Sequence, residues 1–268
     1  MGAPEPAGLG IVYLNTDGVS VLVELRSDSL PAVLYWESSL GPMNAVDAEM
    51  LSRAGVPGIE IGLPDDPFRV SVVPEHHRGY TGRPGLVGHR GGKDWSPAFG
   101  AVSLDLGGVV LERRFGNRDE AACSSTVRRG DEAAQLDLEI VIEPGTTGVV
   151  RTRATLTNAA DSGNYELEEL SLAHPVTLDA AELLDFAGHW GFERVPQRRR
   201  MSVSAHVRES RRGRAGHAAA QLMILGETGF GFRHGRTWSA RVAFSGKHRT
   251  VAERSVLGIQ HLLGGELL

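Results

Sequence analysis

Two neighbouring stretches restrict this chain more than anything else in it. Leu136-Asp-Leu-Glu-Ile-Val-Ile142 begins in strict alternation, apolar on one side and acidic on the other. Val149-Val-Arg-Thr-Arg-Ala-Thr-Leu-Thr157 alternates again. A period of two puts one face on a core and the other in water, which is an extended strand and not a helix. Glu143-Pro-Gly145 turns the chain between them. The pair therefore predicts antiparallel strands with a wetted face. With 34 Gly and 13 Pro in 268 residues, turns are favoured over long helices. The expected fold class is mainly β, an antiparallel β-sandwich with a few short helices.

The rest of the chain reads the same way. Residues 9–14 and 19–25 are apolar, β-branched runs joined by Asn15-Thr-Asp-Gly18, where Asp-Gly is expected to supply the positive φ of a tight hairpin. Short strands are expected at 33–36, 68–73, 101–106, 109–115, 165–173, 201–208, 221–225, 238–245 and 260–263. Gly107-Gly108 marks a hairpin, and a register break is expected in 165–173, whose leucines change face. Helix is expected at 45–54, capped by Asn44, and at 179–186. In the second, Ala180, Leu183, Leu184 and Ala187 fall at helical spacing, with Asp179 as N-cap and Gly188 as C-cap. No linker interrupts these elements, so 1–268 reads as one domain.

Net charge is -5 and pI about 6.1, which gives no global case for nucleic acid or an acidic membrane. Cys123 stands alone, so there is no internal disulfide, and a reducing, cytoplasmic compartment is permitted. It reads as a buried inert thiol. The start lacks the basic and apolar regions of a signal peptide, and no apolar run is long enough to span a membrane.

Residues 88–99, GHRGGKDWSPAF, carry the densest functional chemistry. Gly-Gly and Ser-Pro forbid regular structure, so this is a loop, and loops present polar and aromatic groups for binding. An Asp beside a Trp offers a sugar a hydroxyl acceptor and a flat apolar face. The plainer reading is a surface loop whose Trp plugs the end of a sandwich.

Other constellations are weaker. His76, His77 and His89 lack metal-ligand spacing, so no metal is expected. Gly-rich stretches at 85–88 and 229–231 match no nucleotide-binding pattern, so no cofactor is expected. The arginines between 194 and 214 are read as a solvated or interface surface. There is no nucleophile elbow, and neighbouring acids such as Asp65-Asp66 and Glu168-Glu169 point apart on a strand. No carboxylate pair with the ~5 Å separation of a retaining glycosidase is identifiable.

Four segments carry a family likeness. They are Leu30-Pro-Ala-Val-Leu-Tyr-Trp36 with Leu40-Gly41, and 74–85 running into 88–99. The others are Leu184-Asp-Phe-Ala-Gly-His-Trp190 with Glu193-Arg194 and 208–214, and 229–235 with Trp238, 244–249, Glu253-Arg254 and 264–268. Together they resemble the N-terminal domain of actinobacterial α-galactosidases of glycoside hydrolase family 36. Gly216-His217-Ala218 departs from it, since many relatives have an acid after the His. The resemblance implies a β-supersandwich of galactose mutarotase-like fold, truncated near its C-terminal end. It also implies a retaining enzyme whose two catalytic aspartates lie on a following (β/α)8 barrel, absent here. Asp94, Trp95, His89 and Arg90 would then contact an α-galactoside substrate, in their own subunit or in a homo-oligomer. The alternatives are a free-standing carbohydrate-binding sandwich and a structural interaction domain.

Overall fold

The structure, a computed structural model, describes residues 10–26, 29–56, 69–105, 116–118, 125–131, 133–214, 216–217 and 219–268. In chain order the first elements are β1 (Gly10–Asn15), β2 (Ser20–Leu25), β3 (Ala32–Glu37), α1 (Ala45–Ala54), β4 (Leu86–His89), β5 (Ala101–Asp105), β6 (Gly116–Arg118) and β7 (Ser125–Asp131). Then follow β8 (Leu136–Pro144), β9 (Val150–Asn158), β10 (Glu166–Pro175), β11 (Glu182–His189) and β12 (Phe192–Arg200). The last are β13 (Ser204–Ser210), β14 (Leu222–Gly226), β15 (Thr237–Arg241), β16 (His248–Arg254) and β17 (Gln260–Leu267). Pairing is antiparallel throughout the registered ladders except β1 with β6, and the mainly β expectation is met.

The chain forms two compact units, one of Met1–Tyr80 and His89–Glu166, the other of Thr81–Gly88 and Leu167–Leu268. The first holds the sheets β3-β2-β1-β6 and β5-β7-β8-β9. Every residue of β1 and β2 is buried, as runs apolar on both faces require. Ile11, Tyr13 and Leu22 form a core with Ala48 of α1. Asn44 caps α1 by accepting the Asp47 N–H at 2.9 Å. Its last turn is clamped to β2. Arg69 Nε lies 2.9 Å from Glu24 Oε2, Ser52 Oγ donates to Glu24 Oε1 at 2.9 Å, and the Arg69 guanidinium reaches the carbonyls of Ser52 and Gly55. In β8 the alternation holds, with Leu136, Leu138, Ile140 and Ile142 buried and Asp137 exposed.

The second unit holds β13-β16-β17-β10-β4 and β12-β11-β14-β15. The two sheets meet through a polar pin. Asp185 of β11, 1% exposed, lies 2.6 Å from His206 Nε2 and accepts from Arg208 Nε at 2.5 Å, both on β13. Burial would raise the Asp185 carboxyl, but these two partners outweigh it and hold the group below its ordinary value.

Several expectations are corrected. Residues 179–186 are not a helix; they lead into and form most of β11, which pairs with β12 on one side and β14 on the other. Hydrogen bonds to two neighbours override local helical spacing. Gly188 consequently caps nothing: a Cβ there would meet the Phe192 carbonyl at 2.3 Å, beside a register shift at Ala187/His189. Gly18 has no positive φ. It is glycine for space, because a Cβ would meet Gly148 N at 2.6 Å, where Thr16 Oγ1 also donates to the Gly145 carbonyl. The register of β10 with β17 runs unbroken from Glu169 to Pro175, so the register break expected in 165–173 does not fall in that part of this ladder. Residues 69–73 carry no strand, while β6, β7, β12 and β16 were not anticipated. Cys123, Asp65, Asp66, Ala218, the strand expected at 109–115 and the Gly107-Gly108 hairpin lie outside the described residues.

Candidate functional site

The loop of residues 88–99 begins as the tightest of hairpins. His89 ends β4, and Arg90 and Lys93 exchange both backbone bonds, Arg90 N–H to Lys93 at 2.8 Å and Lys93 N–H to Arg90 at 3.1 Å. Gly91 and Gly92 between them have φ of 57° and 81°. Two successive positive φ values define a type I′ turn, which a Gly-Gly pair adopts without strain. Asp94 continues in the left-handed region at φ 55°, a conformation Asp tolerates better than most residues. The chain is then tied down again. Pro97 and Phe99 are buried, and Asp131 Oδ2 accepts the Ala98 N–H at 2.7 Å. Trp95, between these anchors, is 63% exposed. Pro97 and Phe99 therefore do the plugging, and Trp95 is left facing water.

Beneath the turn lies a cradle built around Arg90. Its guanidinium donates to the Ala134 carbonyl at 3.1 Å, Asn158 Oδ1 at 2.9 Å and the Gly163 carbonyl at 3.4 Å. Its Nε stands 3.7 Å from Asp94 Oδ2, and its carbon centre 6.0 Å from the Tyr165 ring centroid. Tyr165 in turn donates its hydroxyl to the Asp94 carbonyl at 3.3 Å. Burial pushes the Tyr165 hydroxyl above its ordinary value, the Asp94 charge adds to this and Arg90 opposes it, so the phenol remains a donor at neutral pH. Asn158 also donates to the Gly163 carbonyl at 2.9 Å.

His89 sits at the edge of the group. Its Nδ1 accepts the Gly92 N–H at 3.4 Å, and its Nε2 is 3.9 Å from Glu166. The four residues singled out from the sequence thus share one loop, with Asp94 partly and Trp95 largely open to solvent. Sequence reasoning missed Tyr165, Asn158 and Asp131. The polar loop 158–164 closing on a Tyr was the only available signal. His76 and His77 lie elsewhere, on a single 3-10 turn, with His77 3.8 Å from Glu75.

A second exposed aromatic group tops the β11–β12 hairpin. Trp190 is 82% and Phe192 61% exposed, with His217 edge-on to Trp190 at 5.7 Å. Arg194, next in line, has φ 55°.

Comparison with known proteins gives a consistent result. A family profile described as the glycosyl hydrolase family 36 N-terminal domain matches residues 29–268. The chain is 29% identical over 231 residues to an alpha-galactosidase of Escherichia coli, covering 86% of this chain and 30% of that protein. Its fold is similar to that of the alpha-galactosidase AgaA from Geobacillus stearothermophilus. There the TM-score is 0.72 at 17% identity, over 95% of this chain and 37% of that one. A variant of that enzyme in complex with raffinose gives a TM-score of 0.71 at 16% identity, over the same shares of both chains. The chain spans about a third of the length of these relatives.

Proposed function

The chain belongs to the glycosyl hydrolase family 36 N-terminal domains, and on that premise we propose that it is the non-catalytic N-terminal part of a retaining α-galactosidase. In this reading it supports a catalytic barrel and lends the loop of residues 88–99 to the rim of the galactoside site. The family profile runs through both compact units, which supports treating them as one domain. The solved complexes of similar enzymes with raffinose and stachyose support α-galactosidic oligosaccharides as the substrate class. A cytoplasmic setting accords with the solitary Cys123.

The observation that carries the site is the pairing of a half-open carboxylate with an exposed indole on an anchored turn. Asp94 accepts from sugar hydroxyls, Trp95 covers the apolar face of the ring, and His89 stands beside them. We assign these residues to binding and not to proton transfer, which in retaining hydrolysis takes a pair of carboxyl groups ~5 Å apart. In an enzyme assembled from this domain and its barrel, Asp94→Ala should raise KM more than it lowers kcat, by about 1–3 kcal/mol. Trp95→Ala should act likewise through lost ring contact. Steady-state kinetics on an aryl α-galactoside measure this. Wild-type KM in both variants, with only the melting temperature changed, would return the loop to a packing role.

A further inference from the structure

We infer that Arg90 and Tyr165 are positioning residues for Asp94, and that neither meets the sugar itself. This rests on the reading of the loop as a substrate rim. Arg90 offers five N–H groups in a fixed fork, and its two terminal nitrogens already serve the Ala134 carbonyl, Asn158 and the Gly163 carbonyl. Its remaining nitrogen faces Asp94 at 3.7 Å. Three of the five N–H groups are thus taken by protein acceptors, so turning the guanidinium toward a ligand would loosen the contacts that hold the turn. Tyr165 completes the arrangement from below by bonding the carbonyl of the same Asp94. One group thus sets the carboxylate and the other the left-handed backbone that carries it.

The geometry separates holding from binding. Asp94 is gripped at its side chain by charge and at its main chain by a hydroxyl, yet its side chain keeps 30% of its exposure. A carboxylate fixed beforehand loses less freedom on meeting a hydroxyl, which lowers the cost of binding. The cradle spans positions 90, 134, 158, 163 and 165, so the loop is fastened to two distant turns.

Two measurements test this. In the present chain, without ligand, backbone amide exchange at Lys93 reports whether the turn is held. Arg90→Lys keeps the charge but loses the fork, and Tyr165→Phe removes one hydroxyl. Both should speed exchange at Lys93, while exchange in β16 stays as in the wild type. Unchanged exchange at Lys93 in both variants overturns the inference. In the assembled enzyme, Arg90→Lys should raise KM by about tenfold at near-constant kcat, and the same change placed on Asp94→Ala should add nothing further. An equal increment in both backgrounds would show that Arg90 acts independently of Asp94 and would overturn the inference, leaving the sugar-rim reading intact. If Asp94→Ala alone leaves KM unchanged, that reading fails, and the amide measurement alone then decides whether Arg90 and Tyr165 hold the turn.

Discussion

His261 shows how burial shifts a residue's chemistry. It lies on β17 at 1% exposure, and burial lowers its imidazole to about 4. In the unfolded chain the same ring protonates near pH 6.5. Between about pH 6.5 and 4 the unfolded state therefore binds the proton that the folded state refuses, so stability falls as the pH falls through that window. His261→Gln removes this proton and should flatten the acid side of a plot of denaturant midpoint against pH. An unaltered slope would mean that other groups govern acid unfolding. Asp185 works in the same direction lower down: its depressed carboxyl contributes stability above its unfolded pKa, which is lost as pH falls through the folded value. Neither behaviour was legible in the sequence. His261 and Asp185 sit in stretches whose burial depends on strands far away in the chain. The loop that carries Asp94 and Trp95 was legible because Gly-Gly and Ser-Pro announce it locally. Arg90 was singled out with them, but its partners were not legible, since two of them are backbone carbonyls, which carry no residue identity.

At the scale of the element, the same division between local and distant information recurs. β8 was readable because its alternation is local, and α1 because Asn44 caps it. β11 was misread because helical spacing and central-strand burial coincide there, and only pairing on both sides distinguishes them. β12 was seen only as a charge cluster. It is the edge of its sheet, and Pro196 with Arg198, Arg199 and Arg200 suits an edge that must not pair further. Helix α1 gives the sharpest energetic statement. Glu24 is 3% exposed and faces Arg69, whose guanidinium also holds the end of the helix. Arg69→Ala leaves a buried carboxylate without its cation and should cost about 3–5 kcal/mol. Chemical denaturation of the variant measures that loss. A change below ~1 kcal/mol would show that Glu24 is accommodated without Arg69.

For the whole molecule, the reading as a supporting domain has a direct kinetic consequence. This chain alone should not hydrolyse an aryl α-galactoside, because retaining hydrolysis needs two carboxyl groups ~5 Å apart across the bond. Turnover that survives purification and disappears on replacing a carboxylate of these 268 residues would place the chemistry here instead. The order in which the chain visits its two units carries a further consequence, one of time. Thr81–Gly88 belongs to the second unit but is made before half of the first, and β4 has its hydrogen-bonded neighbour in β10, about eighty residues later. During synthesis from the N-terminus, the strand that leads into the 88–99 loop therefore lacks its native neighbour until β10 emerges. A ribosome stalled before β10 would leave the nascent chain exposing a strand edge, the kind of surface on which chaperones act and aggregates begin.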